Sequence, residues 1–489
     1  MSVVVAGGGI AGLAAAARVA GAGGIDVTLL ERSTRLGGNV RTIPFANRSL
    51  DVGAEMVVTG QPAAVELCGD LGLADDLVAP VAAPAHVAVR GGLRPLPARL
   101  MGGLPGGVGD LLRSRILTPA GLVRAGLDLV RPSSAPAGDV AIGALVRDRL
   151  GEQALERLVD PLLGGIHGGR CDDLSTQALL PQAITALAGG RGLVRGLRAA
   201  ARPGQRPAFV TLRHGLGTLT GALVQTLLAR GADLRVGVGA SAVSPAPGRG
   251  VTVVAADGSE LHADAFIVAT PAPAAAGILQ RSFPIAAAEL ARLSAASVAV
   301  VALAYPPGGL DDLPDGSGFL AGTGERRLVR ACTWTSQKWS HLAGDPGLLK
   351  AFVGRAGEPP PAVGDSELAA MVHTEIAHAL ALPGRPVETH VERFAAAMPQ
   401  YAVGHLARVA HIEHTLPAGV ELAGAAYHGV GIPACVHSGH AAAARALEHL
   451  GLPLAGRRGA PPHARGAAVP YGPAAGARRR GGRPALRQR

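Results

Sequence analysis

The sequence predicts an α/β fold in which a parallel sheet is assembled from three separated stretches of chain. Three observations carry this. An apolar strand, Val3-Val4-Val5, runs straight into a glycine turn and then into a small-residue helix over about 11–20. After a long leucine-rich helical block, strands recur at 233–238, 251–255 and 264–269. A strand at 420–424 then leads through Gly429-Val430-Gly431-Ile432-Pro433 into a last helix over about 435–450. Strands buried on both faces read as apolar runs, and helices carry the chain between parallel neighbours.

The first turn is the most informative element. Gly7, Gly9 and Gly12 stand at the G-x-G-x-x-G spacing of a dinucleotide-binding fingerprint. Gly7 allows the tight turn, Gly9 lets backbone approach a pyrophosphate, and Gly12 lets helix and strand pack closely. Gly8, Ile10 and Ala11 complete a loop whose helix N-terminus faces the phosphate charge. The second strand, Val27-Thr28-Leu29-Leu30, ends in Glu31, 19 positions past Gly12, where a carboxylate accepts hydrogen bonds from a ribose. With 70 glycines in 489 residues the spacing alone is weak. The surrounding order of strand, turn, helix, strand and acid makes it a dinucleotide site. Glu31 would repel the 2′-phosphate of NADP. The run Glu31-Arg32-Ser33-Thr34-Arg35-Leu36-Gly37-Gly38 resembles the extension that wraps the adenosine side of FAD in two-domain flavoproteins. FAD is therefore expected, with Arg32 and Gly38 beside it.

Composition bounds the remaining possibilities. The length suits two or three domains, and a 48% hydrophobic content suffices for large cores. The net charge of +10 is mostly terminal: residues 455–489 carry nine arginines and no acid. This Gly/Pro/Ala-rich tail is expected to be disordered, and the body lacks the basic surface of a nucleic-acid binder. Cys68, Cys171, Cys332 and Cys435 are too scattered for a zinc site or a disulfide framework. No metal is expected, the i, i+3 pair His411 and His414 having no companion ligand. A fingerprint beginning at residue 3 leaves no room for a signal peptide, so the expected location is the cytoplasm. A weak amphipathic pattern over 98–130 allows peripheral contact with the inner face of a membrane, although a packed cap helix is the reading such a pattern favours.

The expected organisation is discontinuous. Residues 1–97 form a first part of the FAD-binding domain, with a helix at 62–80 and a hairpin at 84–97 around Gly91-Gly92. Residues 98–206 form a helical cap, its clearest helices at 142–150 and 152–163. Residues 207–285 return to the FAD-binding domain through a helix at 219–230. Residues 286–394 supply a second sheet, with strands at 297–305 and 328–335 and a helix at 365–382. Residues 395–454 complete the FAD-binding domain.

Several segments together resemble the FAD-dependent porphyrinogen oxidases, both the protoporphyrinogen oxidases and the bacterial coproporphyrinogen III oxidases. They are Arg213-His214-Gly215-Leu216-Gly217-Thr218-Leu219, Thr333-Trp334-Thr335-Ser336-Gln337-Lys338-Trp339, Met398-Pro399-Gln400-Tyr401, and Gly429 to Pro433 followed by Ser438-Gly439. The resemblance covers about residues 1–452. It implies a Rossmann-like FAD domain of the p-hydroxybenzoate-hydroxylase and amine oxidase type, a mixed α+β substrate domain and a helical cap. It implies six-electron oxidation of a porphyrinogen in haem biosynthesis, with oxygen as acceptor and hydrogen peroxide as by-product, and other enzymes of the haem pathway as potential partners. The flavin carries that chemistry, so no catalytic side-chain triad is expected. Further FAD contacts are implied at Gly53, Ala54, Glu55, Met56, Ala240, Gly429, Val430, Gly431 and Ile432.

The Ala/Gly/Arg-rich composition, with Lys338 and Lys350 as the two lysines, resembles that of high-GC Gram-positive bacteria, and for members from such bacteria the family resemblance implies the four-propionate substrate, coproporphyrinogen III. Arg170 and Lys338 are candidate propionate partners, the alternative being surface ion pairs. His167 stands where relatives carry an aromatic residue. It stacks on or hydrogen-bonds substrate and titrates near neutrality, or it is a packing histidine. Phe394 replaces a common tryptophan, and the loop Met56 to Gln61 lacks the usual basic residues. Protoporphyrinogen IX oxidation, an amine-oxidase-like activity and a non-catalytic flavin and porphyrin carrier remain the alternatives.

Overall fold

The computed structural model describes residues 1–81, 84–200, 207–322, 324, 325 and 327–452. The arginine-rich tail lies outside them.

The glycine-turn strand Ser2–Ala6 is the centre of a five-stranded parallel sheet. Its order is Asp233–Val236, Asp26–Glu31, Ser2–Ala6, Ala265–Val268, Val420–Leu422. Alternation along the central strand sorts side chains to two cores. Val3 and Val5 join the helices Ile10–Ala20, Gly217–Ala229 and Ile432–His449, whereas Val4 and Ala6 join Ala272–Leu279, Pro284–Ala291 and an antiparallel sheet. The expected strand at 251–255 belongs to that antiparallel sheet, paired with Ala240–Pro245 and Glu260–Ala263. Helices Ile10–Ala20 and Ile432–His449 meet backbone to backbone: a Cβ on Gly439 would fall 2.2 Å from the Ala11 carbonyl oxygen.

A seven-stranded sheet forms the second body. Its order is Glu388–Pro399, Ala295–Tyr305, Gly347–Val353, Val329–Trp334, Gly318–Ala321, Ala85–Val89, Gly92–Pro95. The hairpin at 84–97 thus pairs with this sheet through Gly318–Ala321, and not with the parallel one. Helix Asp365–Leu380 buries Leu368, Val372 and Ile376 on one face. On the other face Phe45, Leu50 and Val52 pack against Ala302, Ala304, Trp339 and Leu348. The hairpin Thr42–Phe45 with Arg48–Asp51 therefore joins the two bodies.

Two helices differ from expectation. The helix at 62–80 stops at Asp70, because Gly72 adopts φ +74°, and the chain continues as a single turn and a short strand. The helix at 152–163 begins with normal turns at Glu152–Ala154 and then widens to i→i+5 winding over Leu155–Gly164. Pro161 lies inside that stretch. Proline lacks the N–H that regular winding needs, and a widened turn accommodates the missing bond. Among the described residues no helix is long and apolar enough to cross a membrane.

Candidate active site

The glycine turn has the shape its spacing demands. Gly7 adopts φ +107°, and a Cβ there would fall 2.6 Å from the Ala269 carbonyl oxygen. A Cβ on Gly12 would fall 1.9 Å from the Gly7 oxygen, so only glycine lets this helix sit on its strand. At Gly9 a Cβ would meet nothing within 4 Å. Gly9 precedes helix Ile10–Ala20, whose first turn has no side-chain cap and no acid. Its free N–H groups and open approach fit a pyrophosphate.

Glu31 braces this turn. Its carboxylate accepts from the Gly8 N–H at 2.7 Å and from the Ser33 N–H at 2.8 Å. Gly37 donates to the Gly8 carbonyl at 2.8 Å, and Gly38, at φ +58°, lies against Gly9. The loop before Ala240 docks alongside: Val238 donates to the Glu31 carbonyl at 3.0 Å, and Gly239 abuts Arg32. Fingerprint, acid, double glycine and Ala240 loop are thus one contiguous surface.

A second glycine turn comes to the same side. Gly429 and Gly431 adopt φ +142° and +94°, and Gly431 precedes helix Ile432–His449, also uncapped by any side chain. Val430 between them is half-buried, whereas Ile432 is buried. Tyr401 holds this turn, its hydroxyl accepting from the Gly429 N–H at 2.6 Å and donating to the Ala425 carbonyl at 2.8 Å. The neighbouring Gln400 side chain donates to the His167 carbonyl at 2.9 Å. The Met398 to Tyr401 motif therefore ties the His167 turn to the Gly429 turn.

The turn at 53–56 carries the strongest electrostatics. Gly53 passes so close to Asn39 that a Cβ would lie 2.1 Å from its carbonyl oxygen, and Ala54 donates to that oxygen at 3.0 Å. The buried Glu55 carboxylate ion-pairs with both Lys338 and Lys350. Burial opposes its charge, but the two ammonium groups outweigh burial and hold the carboxyl at about 2. Lys338 also reaches Met56 Sδ at 3.5 Å and lies 5.2 Å from the Trp339 ring centre. Beside them Asp51 is buried, accepts from the Thr42 hydroxyl and from the Leu216 N–H at 3.0 Å, and is pushed up to about 6 by burial.

The three residues expected at substrate are placed differently from one another. The Lys338 ammonium is buried and engaged by Glu55, so it is neither a surface ion pair nor a free partner for a propionate. Arg170 is half exposed and pairs with Glu358 at 3.4 Å, in a cluster that Arg330 and Arg355 share. His167 is 3% exposed, and burial pushes its imidazole down to about 4, so it does not titrate near neutrality. Sequence reasoning missed Lys350 and Asp51 as members of the Glu55 cluster. The rarity of lysine was the available signal for the former.

The chain from residue 10 to residue 447 matches the family described as flavin containing amine oxidoreductase. A coproporphyrinogen III oxidase of Bacillus subtilis is 32% identical over 92% of this chain and 98% of its own length. One from Mycobacterium leprae is 36% identical, with 92% and 98% covered. The chain belongs to the flavin-containing amine oxidoreductases, in their porphyrinogen oxidase branch. A solved structure from Exiguobacterium sp. 255-15, carrying a provisional protoporphyrinogen oxidase name, superposes with a TM-score of 0.83 at 30% identity over 92% of this chain and 99% of its own. Cyclohexylamine oxidase of Brevibacterium oxydans shares the fold at a TM-score of 0.65 and 17% identity, over 92% and 99%. The cofactor of this family member is FAD, and the protein is an oxidoreductase.

Proposed function

We propose that this protein oxidises coproporphyrinogen III to coproporphyrin III in haem biosynthesis. The observation that carries the proposal is the near-full-length similarity, at 30–36% identity, to curated bacterial enzymes named for that substrate. Bound FAD supplies two-electron acceptance from a meso carbon and, in each cycle, reduction of oxygen to hydrogen peroxide. Three cycles remove six electrons and six hydrogens from one porphyrinogen.

The residues divide that task. The amides from Gly9 to Gly12 seat the pyrophosphate, and Glu31, Arg32, Gly38 and Ala240 border the adenosine end. Gly53 to Met56 and Gly429 to Ile432 border the isoalloxazine end, where the buried Glu55 pair keeps one wall rigid. The neutral, buried His167 presents its ring on the substrate side. Arg170, half exposed beside the more buried Arg330 and Arg355, provides a cation at the surface for a propionate. These roles are supported by how the turns converge and by the open approach at Gly9.

Anaerobic mixing of the FAD-loaded protein with coproporphyrinogen III and, separately, protoporphyrinogen IX tests the reading. Bleaching of the flavin by the former alone is expected. Bleaching by protoporphyrinogen IX alone would move the assignment to that substrate, after which the bovine relative at 30% identity is named. A flavin unreduced by either would leave a porphyrin carrier.

We further propose peripheral contact with a bilayer through the segment 108–130. Leu112, Val123 and Val130 are 61%, 69% and 78% exposed there, flanked by Arg113 and Arg131. Co-sedimentation with anionic vesicles, lost on Val123→Asp with Val130→Asp, is the test.

A further inference from the structure

A small cavity with room for about one water molecule lies between the Thr42 to Asp51 hairpin and the seven-stranded sheet. Asp51, Glu55, Thr211, Thr335, His341 and Lys350 line it. Thr335 is 0% exposed and Thr211 3%. No protein atom pairs with either hydroxyl or with His341 Nδ1. A buried donor or acceptor without a partner costs free energy, and three such atoms around one cavity mark a site made for something polar. Cavities of this lining hold ordered water, whereas apolar ones stay dry.

We propose that ordered water occupies this cavity, bridges Thr211, Thr335 and His341 to the Asp51 and Glu55 carboxylates, and forms the route by which Asp51 exchanges its proton with solvent. His341 is half-buried, the most exposed of the three, and is assigned the solvent end of the route. Protonation of Asp51 forms one O–H bond on its carboxylate as a water O–H breaks, and a proton from solvent refills that water. No electron moves. The groups facing Asp51 are the Lys350 ammonium and the Glu55 carboxylate, with the Thr42 hydroxyl and the Leu216 N–H. Burial holds the His341 imidazole low, with Arg213 and His214 facing it. Water donating to Asp51 stabilises the charged form and opposes the upward push of burial. The site stands whether or not coproporphyrinogen III is the substrate, because none of its residues is assigned to the substrate.

The test is an infrared titration of the FAD-loaded protein from pH 8 to pH 5, with Asp51→Asn identifying the carboxyl band. The wild-type band is expected to titrate near 6. The Thr211→Val, Thr335→Val double variant removes two water partners at almost constant volume, and its midpoint is expected to rise by about one pH unit or more. An unmoved midpoint in the folded, yellow double variant would overturn the proposal. So would a crystal structure of the wild-type protein with no water density in the cavity. Thr335→Val alone, with Thr335→Ser as the variant that keeps the hydroxyl, replaces the double variant if that does not fold. A rise in the Val variant and none in the Ser variant is then the supporting result, and equal midpoints the opposing one.

Discussion

Lys350 reaches across from the seven-stranded sheet to ion-pair with Glu55 and donates to the Asp51 carbonyl at 2.7 Å. Lys338 closes on the same carboxylate from the neighbouring turn. One buried anion thus pairs with two buried cations that belong to the other body of the molecule. Removing a partner from a buried pair costs far more than the pair contributes, because the remaining charge stays buried. Glu55→Gln is therefore expected to destabilise the protein by about 3–5 kcal/mol. Denaturant unfolding checks this, and adding Lys350→Met should restore part of the loss.

Acid sensitivity follows from groups whose folded affinities for protons differ from their free ones. His167 and His405 are held neutral by burial, both at about 4 against an ordinary 6.5. The unfolded chain binds protons there first, so their stability contribution is complete above about 6.5 and is lost as pH falls towards 4. Glu55, depressed from 4.5 to about 2, loses its contribution over that lower window. Asp51 acts oppositely: raised from 3.8 to about 6, it favours the fold most below 3.8 and loses that contribution as pH rises through 6. His167→Phe should remove one step of the acid limb, on the order of 3 kcal/mol between neutral pH and pH 4. Unfolding midpoints at both pH values for wild type and variant measure it.

Two glycines of one turn should fail in different ways. Gly12→Val drives a side chain into the Gly7 carbonyl and should prevent folding of the parallel-sheet body. Gly9→Val has open space before it, so the protein should fold and yet leave purification colourless. Circular dichroism with flavin absorbance separates the outcomes, and a yellow Gly9→Val protein would contradict the pyrophosphate seat.

Tyr401→Phe removes the acceptor of the Gly429 N–H and the donor to Ala425. A loss of about 1–3 kcal/mol is expected. Because the turn borders the proposed isoalloxazine end, flavin retention after dialysis should fall with it. Unchanged flavin content would separate the Gly429 turn from the cofactor.

Much of the parallel-sheet body was legible in the chain. Val3 to Ala6 and Ala265 to Val268 are buried on both faces and so read as apolar runs. The second sheet was read in part. Ala295–Tyr305 is apolar throughout, but Glu388–Pro399 is half-exposed with mixed polarity, and periodicity has little to register there. The partner of the hairpin at 84–97 was hidden for another reason: parallel pairing with Gly318–Ala321 joins residues remote in sequence, and no local signal encodes it. Lys338 shows the same limit at the site. Its residue type announced a cation, whereas burial and the approach of Glu55 decided what the cation does.

The chain has two lysines in 489 residues, and the fold hides both. Reagents that attack primary amines therefore find no exposed lysine in the native protein. A lysine acylated at Lys350 would record a molecule whose two bodies had parted. Amine labelling thus becomes a clock for separation of the sheets, started by the fold itself and needing no engineered probe.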